Sequence, residues 1–235
     1  GRSQQKILSL EAEAPIGKIC VLNADVSVEK DCERLVDHAV KMFGGIDVLI
    51  NNAGISMRGL MEEGGKGIIP VIKKVMDINL MGVVFCTRYA LASLIKSKGT
   101  IVGVSSIAGY RGLPGRSGYS ASKFALQGFL ESIRTELIDD GVHVMWVCPG
   151  FTTSNIRHAA LDKNAEAHGE TSMDEDKMMS ADECAKHILN AIAKKKRTLV
   201  LTFTGKRTVF MNRFFPAWAD KLVYRFFFKG GKLIK

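Results

Sequence analysis

Residues 105–123 read Ser-Ser-Ile-Ala-Gly-Tyr-Arg-Gly-Leu-Pro-Gly-Arg-Ser-Gly-Tyr-Ser-Ala-Ser-Lys. They follow an apolar run, Thr100 to Val104, short enough and branched enough for a buried strand. They end inside a pattern of helical period that continues to about Leu137. Tyr119 and Lys123 are four apart, so on a helix they share one face, one turn apart. A phenol ionises near pH ~10 in water, and a neighbouring cation favours the phenolate. The spacing therefore predicts a proton donor and acceptor suited to near-neutral pH. Ser106, on the loop after the strand, is placed to hydrogen-bond the same substrate oxygen.

Three further signals lie on either side of this stretch. Asn51-Asn52-Ala53-Gly54 closes the apolar run Ile46 to Ile50. Asn79 interrupts a long helical pattern over 68–95. Cys148-Pro149-Gly150 closes the run Val142 to Val147. Each alone has an ordinary reading: an Asn/Gly turn, a solvent-facing amide, a loop. Small residues and amides at strand C-terminal ends also suit a site where a ligand crosses a sheet edge.

With all of these in order, the chain resembles the short-chain dehydrogenase/reductase family from Asp25 to about Phe203, on its NADP-preferring carbonyl reductase or hydroxysteroid dehydrogenase-like branch. The resemblance implies an α/β fold, a doubly wound Rossmann-like parallel sheet with helices on both faces. Residues 1–205 would form the dinucleotide-binding and catalytic domain, and 206–235 a basic, aromatic helical extension. It implies an oxidoreductase that transfers hydride between NADP(H) and a carbonyl or secondary alcohol. In that reading Tyr119 is the acid/base. Lys123 lowers its pKa and holds the nicotinamide ribose, Ser106 holds the substrate oxygen, and Asn79 binds a water that links Lys123 to solvent. Counting back from Tyr119 selects Ser106, which leaves Ser105 a structural role. Enoyl reduction ranks lower, because relatives that perform it space Tyr and Lys more widely.

The same resemblance assigns a cofactor surface. Asp25 would meet the adenine amino group, with the Val26 backbone completing that edge. Asp25-Val-Ser27 also reads as a turn and N-cap before a helix over 28–43. Asn52 would brace the sheet while Ala53 and Gly54 pass close to the ribose. After Pro149 and Gly150, the Thr152 backbone would meet the carboxamide, and Ser154 would take a hydroxyl role that relatives give to Thr. Arg2 stands where a basic residue pairs with the 2′-phosphate of NADP, although it also reads as a helix-start arginine. NADP(H) is thus expected ahead of NAD(H). The family's Gly-x-x-x-Gly-x-Gly turn is not found before residue 15. An upstream segment carrying the first strand, that turn and the second strand is expected; loss of the turn is the alternative.

Charge and composition narrow the partners. Of the 235 residues, 46% are hydrophobic, enough for a packed core. Five scattered cysteines without metal or disulfide spacing suggest a reducing, cytoplasmic setting. The five histidines show no metal-ligand spacing either. The net charge is +9, yet residues 194–235 hold twelve Lys/Arg against one acid, Asp220, a net of +11; the remainder carries about −2. Nucleic acid is a poor fit, because the basic segment has no binding motif and its aromatics fall at helical spacing. Residues 206–228 read as one amphipathic helix, with Val209, Phe210, Phe214, Trp218 and Leu222 on one side. Such a helix can lie on an anionic membrane surface or cap a pocket or dimer contact. A small carbonyl or alcohol substrate, lipophilic in character, and a homodimer or homotetramer are expected. Residues 155–180 are polar and irregular; the resemblance implies a substrate lid there, and a mobile surface loop is the alternative. Lys18–Leu22 and Thr198–Phe203 read as further strands. The alternatives are a dinucleotide sensor without turnover and a lipid-surface scaffold.

Overall fold

Thr100–Val104 (β2) is apolar on both faces, and a parallel strand covered by helices on both sides is what that pattern demands. The computed structural model describes residue 9 and residues 17–62, 67–167, 169 and 178–234. In it, β2 is central in a four-stranded parallel sheet with Val48–Asn51 (β1), His143–Cys148 (β3) and Thr198–Val200 (β4), in the order β1-β2-β3-β4. The fold is α/β and Rossmann-like. Ile101 faces one layer with Leu126, Leu130 and Trp146, and Val102 faces the other with Met145 and Ala191. The first layer packs under Glu29–Phe43 (α1), Gly82–Ser97 (α3) and Ser117–Glu136 (α4); the second packs under Ala181–Ala193 (α5). Each fully buried branched side chain there contributes about 1.5–3 kcal/mol.

The register lines up the strand ends. Asn51 sits opposite Gly103, Val104 opposite Val147, and Cys148 opposite Val200. The loops after β1, β2 and β3 therefore leave from one edge of the sheet, where parallel sheets hold ligands. Helix α4 comes very close to that edge. A Cβ on Gly103 would stand 2.3 Å from Leu130 Cδ1, so any side chain there would displace the tip of Leu130.

Several expected elements differ. Lys18–Leu22 is irregular, because nothing among the described residues offers it a ladder partner, and an apolar run alone does not make a strand. The helix α1 is capped by Val28, not Ser27, whose hydroxyl turns back to Asp25. The pattern over 68–95 is not one α-helix but Ile68–Met76 (α2), a π segment Asp77–Met81, and α3. The last strand stops at Val200, and a helix, Phe203–Phe214 (α6), starts where extended chain was expected. The single C-terminal helix is two, α6 and Pro216–Phe227 (α7). Pro216 removes an N–H and bars helical geometry at Phe215, which sits at φ −136°, ψ 58°. A short hairpin, Phe228–Lys229 (β5) with Lys232–Leu233 (β6), follows and brings Leu233 against Gly115.

Helices α6 and α7 are held to the loop that follows Ser106. Asn212 Nδ2 donates to the Tyr110 carbonyl at 2.7 Å. Arg111 donates to Asn212 Oδ1 at 3.0 Å and to the Asp220 carboxylate. Tyr110 in turn accepts from Trp146 Nε1 at 2.9 Å. Hydrogen bonds to charged groups contribute about 1.5–3 kcal/mol. Arg111→Ala should therefore loosen α6 and α7, and limited proteolysis within 203–234 should speed up roughly tenfold, since each ~1.4 kcal/mol is a decade in the open population. Unchanged cleavage would mean that the clamp holds nothing.

Candidate active site

The site grows from the helix α4. Arg116 caps its start, and Tyr119 and Lys123 lie one and two turns in, at i, i+3 and i+7 on one face. Tyr119 and Lys123 are both buried, at 8% and 4% exposure. The Lys123 ammonium donates to the Val104 carbonyl at 2.8 Å and lies 5.6 Å from the centre of the Tyr119 ring. Ser106 leaves the end of β2 in extended backbone and caps a 3-10 turn, Ile107–Gly109, accepting from Ala108 N at 3.1 Å. Its hydroxyl lies on the Tyr119 side of the site, where it favours the ionised phenol. Ser105 is a packing residue: its oxygen accepts from Gln127 Nε2 at 2.9 Å, beneath the site.

Asn79 is fully buried in the π segment, where the widened turn points its amide inward. The amide accepts from Ile55 N at 2.8 Å, donates to Ile55 O at 2.9 Å, and donates to Ser122 Oγ at 3.0 Å. Ser122 passes the link on to the Tyr119 carbonyl at 2.7 Å. A Cβ added to Gly54 would lie 3.2 Å from Asn79 Oδ1 and 3.6 Å from Lys123 Nζ. The bare backbone at Gly54 thus forms one wall of a cradle that also holds Asn79 and Lys123. Ser122 escaped the sequence reading, since a small polar residue in a helix has no signature. Arg116 escaped it too, although its place three before Tyr119 puts it on the same face.

Electrostatics differ from the expectation in one respect. Burial raises the Tyr119 pKa above the ordinary phenol value, and the Ser106 hydrogen bond and the Arg116 charge oppose that rise. Arg116 is thus a second cation near the phenol, beside the Lys123 ammonium 5.6 Å from the ring centre. Burial also lowers the Lys123 pKa to about 8. Cys148, below the site, is pushed up to about 12 by burial, so it is a packed thiol and not a nucleophile.

The other expected residues fall as follows. Asn51, not Asn52, braces the sheet: it is buried and donates to Thr87 Oγ1 at 3.4 Å, while Asn52 and Ala53 are exposed at the sheet edge. Adjacent strand residues point to opposite faces, so the brace and the ligand-side residue exchange places. The Asp25 carboxylate accepts from Ser27 N at 3.0 Å and Ser27 Oγ at 2.7 Å, the turn reading. Val26 lies against Gly82, and its carbonyl accepts from the Cys32 thiol. Pro149 and Gly150, the latter at φ +81°, turn the chain out of β3. The Thr152 carbonyl accepts two bonds from Arg157, and Ser154 is exposed. Arg2 lies outside the described residues. Of residues 155–180, Leu161 bridges to Met57 and exchanges backbone bonds with Ser56 and Arg58. No cluster of metal-ligating side chains occurs among the described residues.

A nicotinamide dinucleotide suits what is present. Lys123 offers N–H donors beside Gly54, and the exposed Asn52–Ala53 edge and the Gly150 turn flank the same strand ends. Burying Lys123 has a measurable cost. Between pH ~8 and ~10.5 the unfolded chain keeps a proton that the folded chain releases, so stability gained by other means is opposed by about 3 kcal/mol below pH 8. That cost fades as pH rises through this window. Lys123→Met should melt several degrees higher at pH 7, and the gap should close by pH ~10.5 in paired thermal melts. A gap independent of pH would contradict the burial account.

Comparison with known proteins agrees with this geometry. The short chain dehydrogenase family matches residues 1–165. "Dehydrogenase/reductase SDR family member 7B" of Rattus norvegicus is 35% identical over 199 residues, covering 84% of this chain and 60% of that protein. "11-beta-hydroxysteroid dehydrogenase A" of Arachis hypogaea is 34% identical over 218 residues, covering 88% of this chain and 61% of that protein. The chain thus spans about three fifths of these curated relatives. Among solved structures, a short-chain dehydrogenase from Streptomyces avermitilis superposes with a TM-score of 0.78 at 23% identity, covering 96% of this chain and 85% of that one. Another, from Burkholderia cenocepacia J2315 in complex with NADP, gives 0.73 at 20% identity, covering 91% and 82%. The motif order, the parallel sheet and these matches together place the chain in the short-chain dehydrogenase family of oxidoreductases.

Proposed function

We propose that the protein interconverts a carbonyl compound and its secondary alcohol, with Tyr119 as the proton donor and acceptor. The observation that carries this reading is the buried pair Tyr119 and Lys123 on one face of α4, with Lys123 tied to the Val104 carbonyl at the end of the strand that leads to Ser106. A bound nicotinamide dinucleotide supplies the hydride. NADP(H) is the preferred form in this reading, on the strength of Arg2; solved relatives are described in complex with NADP and with NAD.

Ser106 orients the substrate oxygen toward the phenol. Tyr119 gives that oxygen a proton as negative charge develops on it, and takes one back in the reverse direction. Lys123 holds the ribose with the N–H groups that its bond to Val104 leaves over. Asn79 fixes the Ile55 backbone and the Ser122 hydroxyl, and with a bound water it would pass protons between Lys123 and solvent. General acid–base catalysis contributes about 10²–10⁴-fold. Tyr119→Phe should lower kcat by that factor, with the fold unchanged by circular dichroism, when NADPH loss is followed over a panel of ketones. Full turnover by the variant would refute the assignment.

The C-terminal face supports a second property, contact with an anionic bilayer surface. Phe203, Phe210, Phe214, Phe215, Trp218 and Tyr224 are each more than half exposed, and Lys206, Arg207, Arg213 and Lys221 alternate with them. No helix among the described residues is long and apolar enough to cross a membrane, so the contact would lie in the interfacial plane. Flotation with phosphatidylserine vesicles should retain the protein, and Phe214→Glu with Trp218→Glu should release it. Equal flotation of both proteins would remove this role.

A further inference from the structure

Four chain segments meet beneath the site at one side chain, Gln127. It is buried on α4, one turn after Lys123. Its Nε2 donates to Ser105 Oγ at 2.9 Å and to Cys148 Sγ, at the end of β3, at 3.8 Å. An amide nitrogen has two hydrogens, so both are engaged. Ser105 Oγ donates onward to the Lys123 carbonyl at 3.4 Å. The Lys123 ammonium donates to the Val104 carbonyl at 2.8 Å. Consecutive residues at the exit of β2 thus hold Lys123 by its backbone and by its side chain. The 3-10 turn after Ser106 closes the junction. A Cβ added at Gly109 would run into the Gln127 amide and stand 2.9 Å from both the Lys123 carbonyl and Ser105 Oγ. Part of that collision is with helix backbone, which does not turn aside as a side-chain tip does. Ser106 lies between these two anchors, with Ser105 before it and Gly109 after it.

Stability alone does not call for an amide here. Replacing both partners of a buried hydrogen bond by apolar groups of the same shape is close to neutral. What a satisfied buried network adds is direction, since it holds its members in one arrangement where apolar contacts let them slide. A group that acts on a substrate needs such a support, because small errors of place cost rate. We propose that Gln127 is a positioning residue for the reaction: through Ser105 and Gly109 it sets where the Ser106 hydroxyl stands relative to Tyr119 and Lys123. This rests on the reading of Tyr119 as proton donor and names a residue on which the alignment of its partner depends.

The test replaces Gln127 by methionine, which keeps the length of the side chain and removes the amide. With NADPH and the ketone of the panel turned over fastest, Gln127→Met should lose kcat roughly tenfold, while KM for NADPH stays within about twofold. Gly109→Ala, which crowds the same junction from the turn, should show the same split. Ser106→Ala removes the group being positioned, so in that background Gln127→Met should cost less than about twofold more. Ser105→Ala combined with Gln127→Met strands neither partner and should melt within a few degrees of the unaltered protein, yet keep the loss in kcat. Recovery of kcat along with the melting temperature in that pair overturns the proposal, as does a tenfold loss that persists in the Ser106→Ala background. A second readout needs no turnover. The hydroxyl-bearing carbon of the Tyr119 ring, labelled with ¹³C and assigned with Tyr119→Phe, should shift in Gln127→Met in the same direction as in Ser106→Ala. An unmoved signal overturns the proposal. A moved signal in a protein that reduces no ketone would support the positioning while sinking the oxidoreductase reading.

Discussion

A single buried amide holds the site together. Asn79 is fully buried, and a buried amide must satisfy its donors and acceptor. It does so by closing a small ring with the Ile55 backbone and reaching Ser122 on α4. Three chain segments, the exit of β1, the π segment and the catalytic helix, are thereby fixed at one point. A regular α-helix would carry residue 79 past this position. The extra residue in the π turn is what aims the amide, and it also breaks the long helix into α2 and α3. Without the amide, two half-buried backbone groups of Ile55 would lose their partners, at about 1–3 kcal/mol each.

The sheet supplies the other half of the positioning. Parallel strands in register end together, so the loops after β1, β2 and β3 share an edge. The glycine in β2 lets α4 settle directly on that strand, and this contact sets the depth at which Tyr119 and Lys123 project. Core packing and active-site geometry are thus one constraint. A side chain at residue 103 would press on the tip of Leu130, which would have to turn aside within the packed layer.

Much of this was legible in the sequence, for identifiable reasons. A four-residue spacing on a helix is a statement about direction, so the convergence of Tyr119 and Lys123 could be read without coordinates. Asn79 announced itself as a polar residue amid an apolar pattern, although the π geometry that accommodates it leaves no period to detect. Other features depend on what a segment meets. Lys18–Leu22 has strand composition, but strand geometry exists only with a neighbour. The exchange of Asn51 and Asn52 turns on which face of β1 is buried, and a one-residue ambiguity reverses the answer. The break before Pro216 was marked by the proline itself; a tempting run of aromatics at helical spacing concealed it.

Tyr119 is where these constraints meet in opposition. Burial stabilises the neutral phenol, while Ser106 and Arg116 favour the phenolate. Arg116 and Lys123 bracket it on one helix face, at minus three and plus four, yet the two cations do different work. Lys123 is drawn toward the Val104 carbonyl and, deep in the protein, holds its charge less firmly than an ordinary lysine. Arg116 keeps its charge at any pH a protein survives, because a guanidinium ionises so strongly that burial lowers its pKa without neutralising it. An acid that must donate a proton and then recover it needs a neighbour whose charge does not itself titrate. On that argument the arginine at the start of α4 sets the standing field at the phenol. The lysine, buried and bonded to Val104, gains or loses its own proton near pH 8, so its field at the phenol changes with pH while that of the arginine does not.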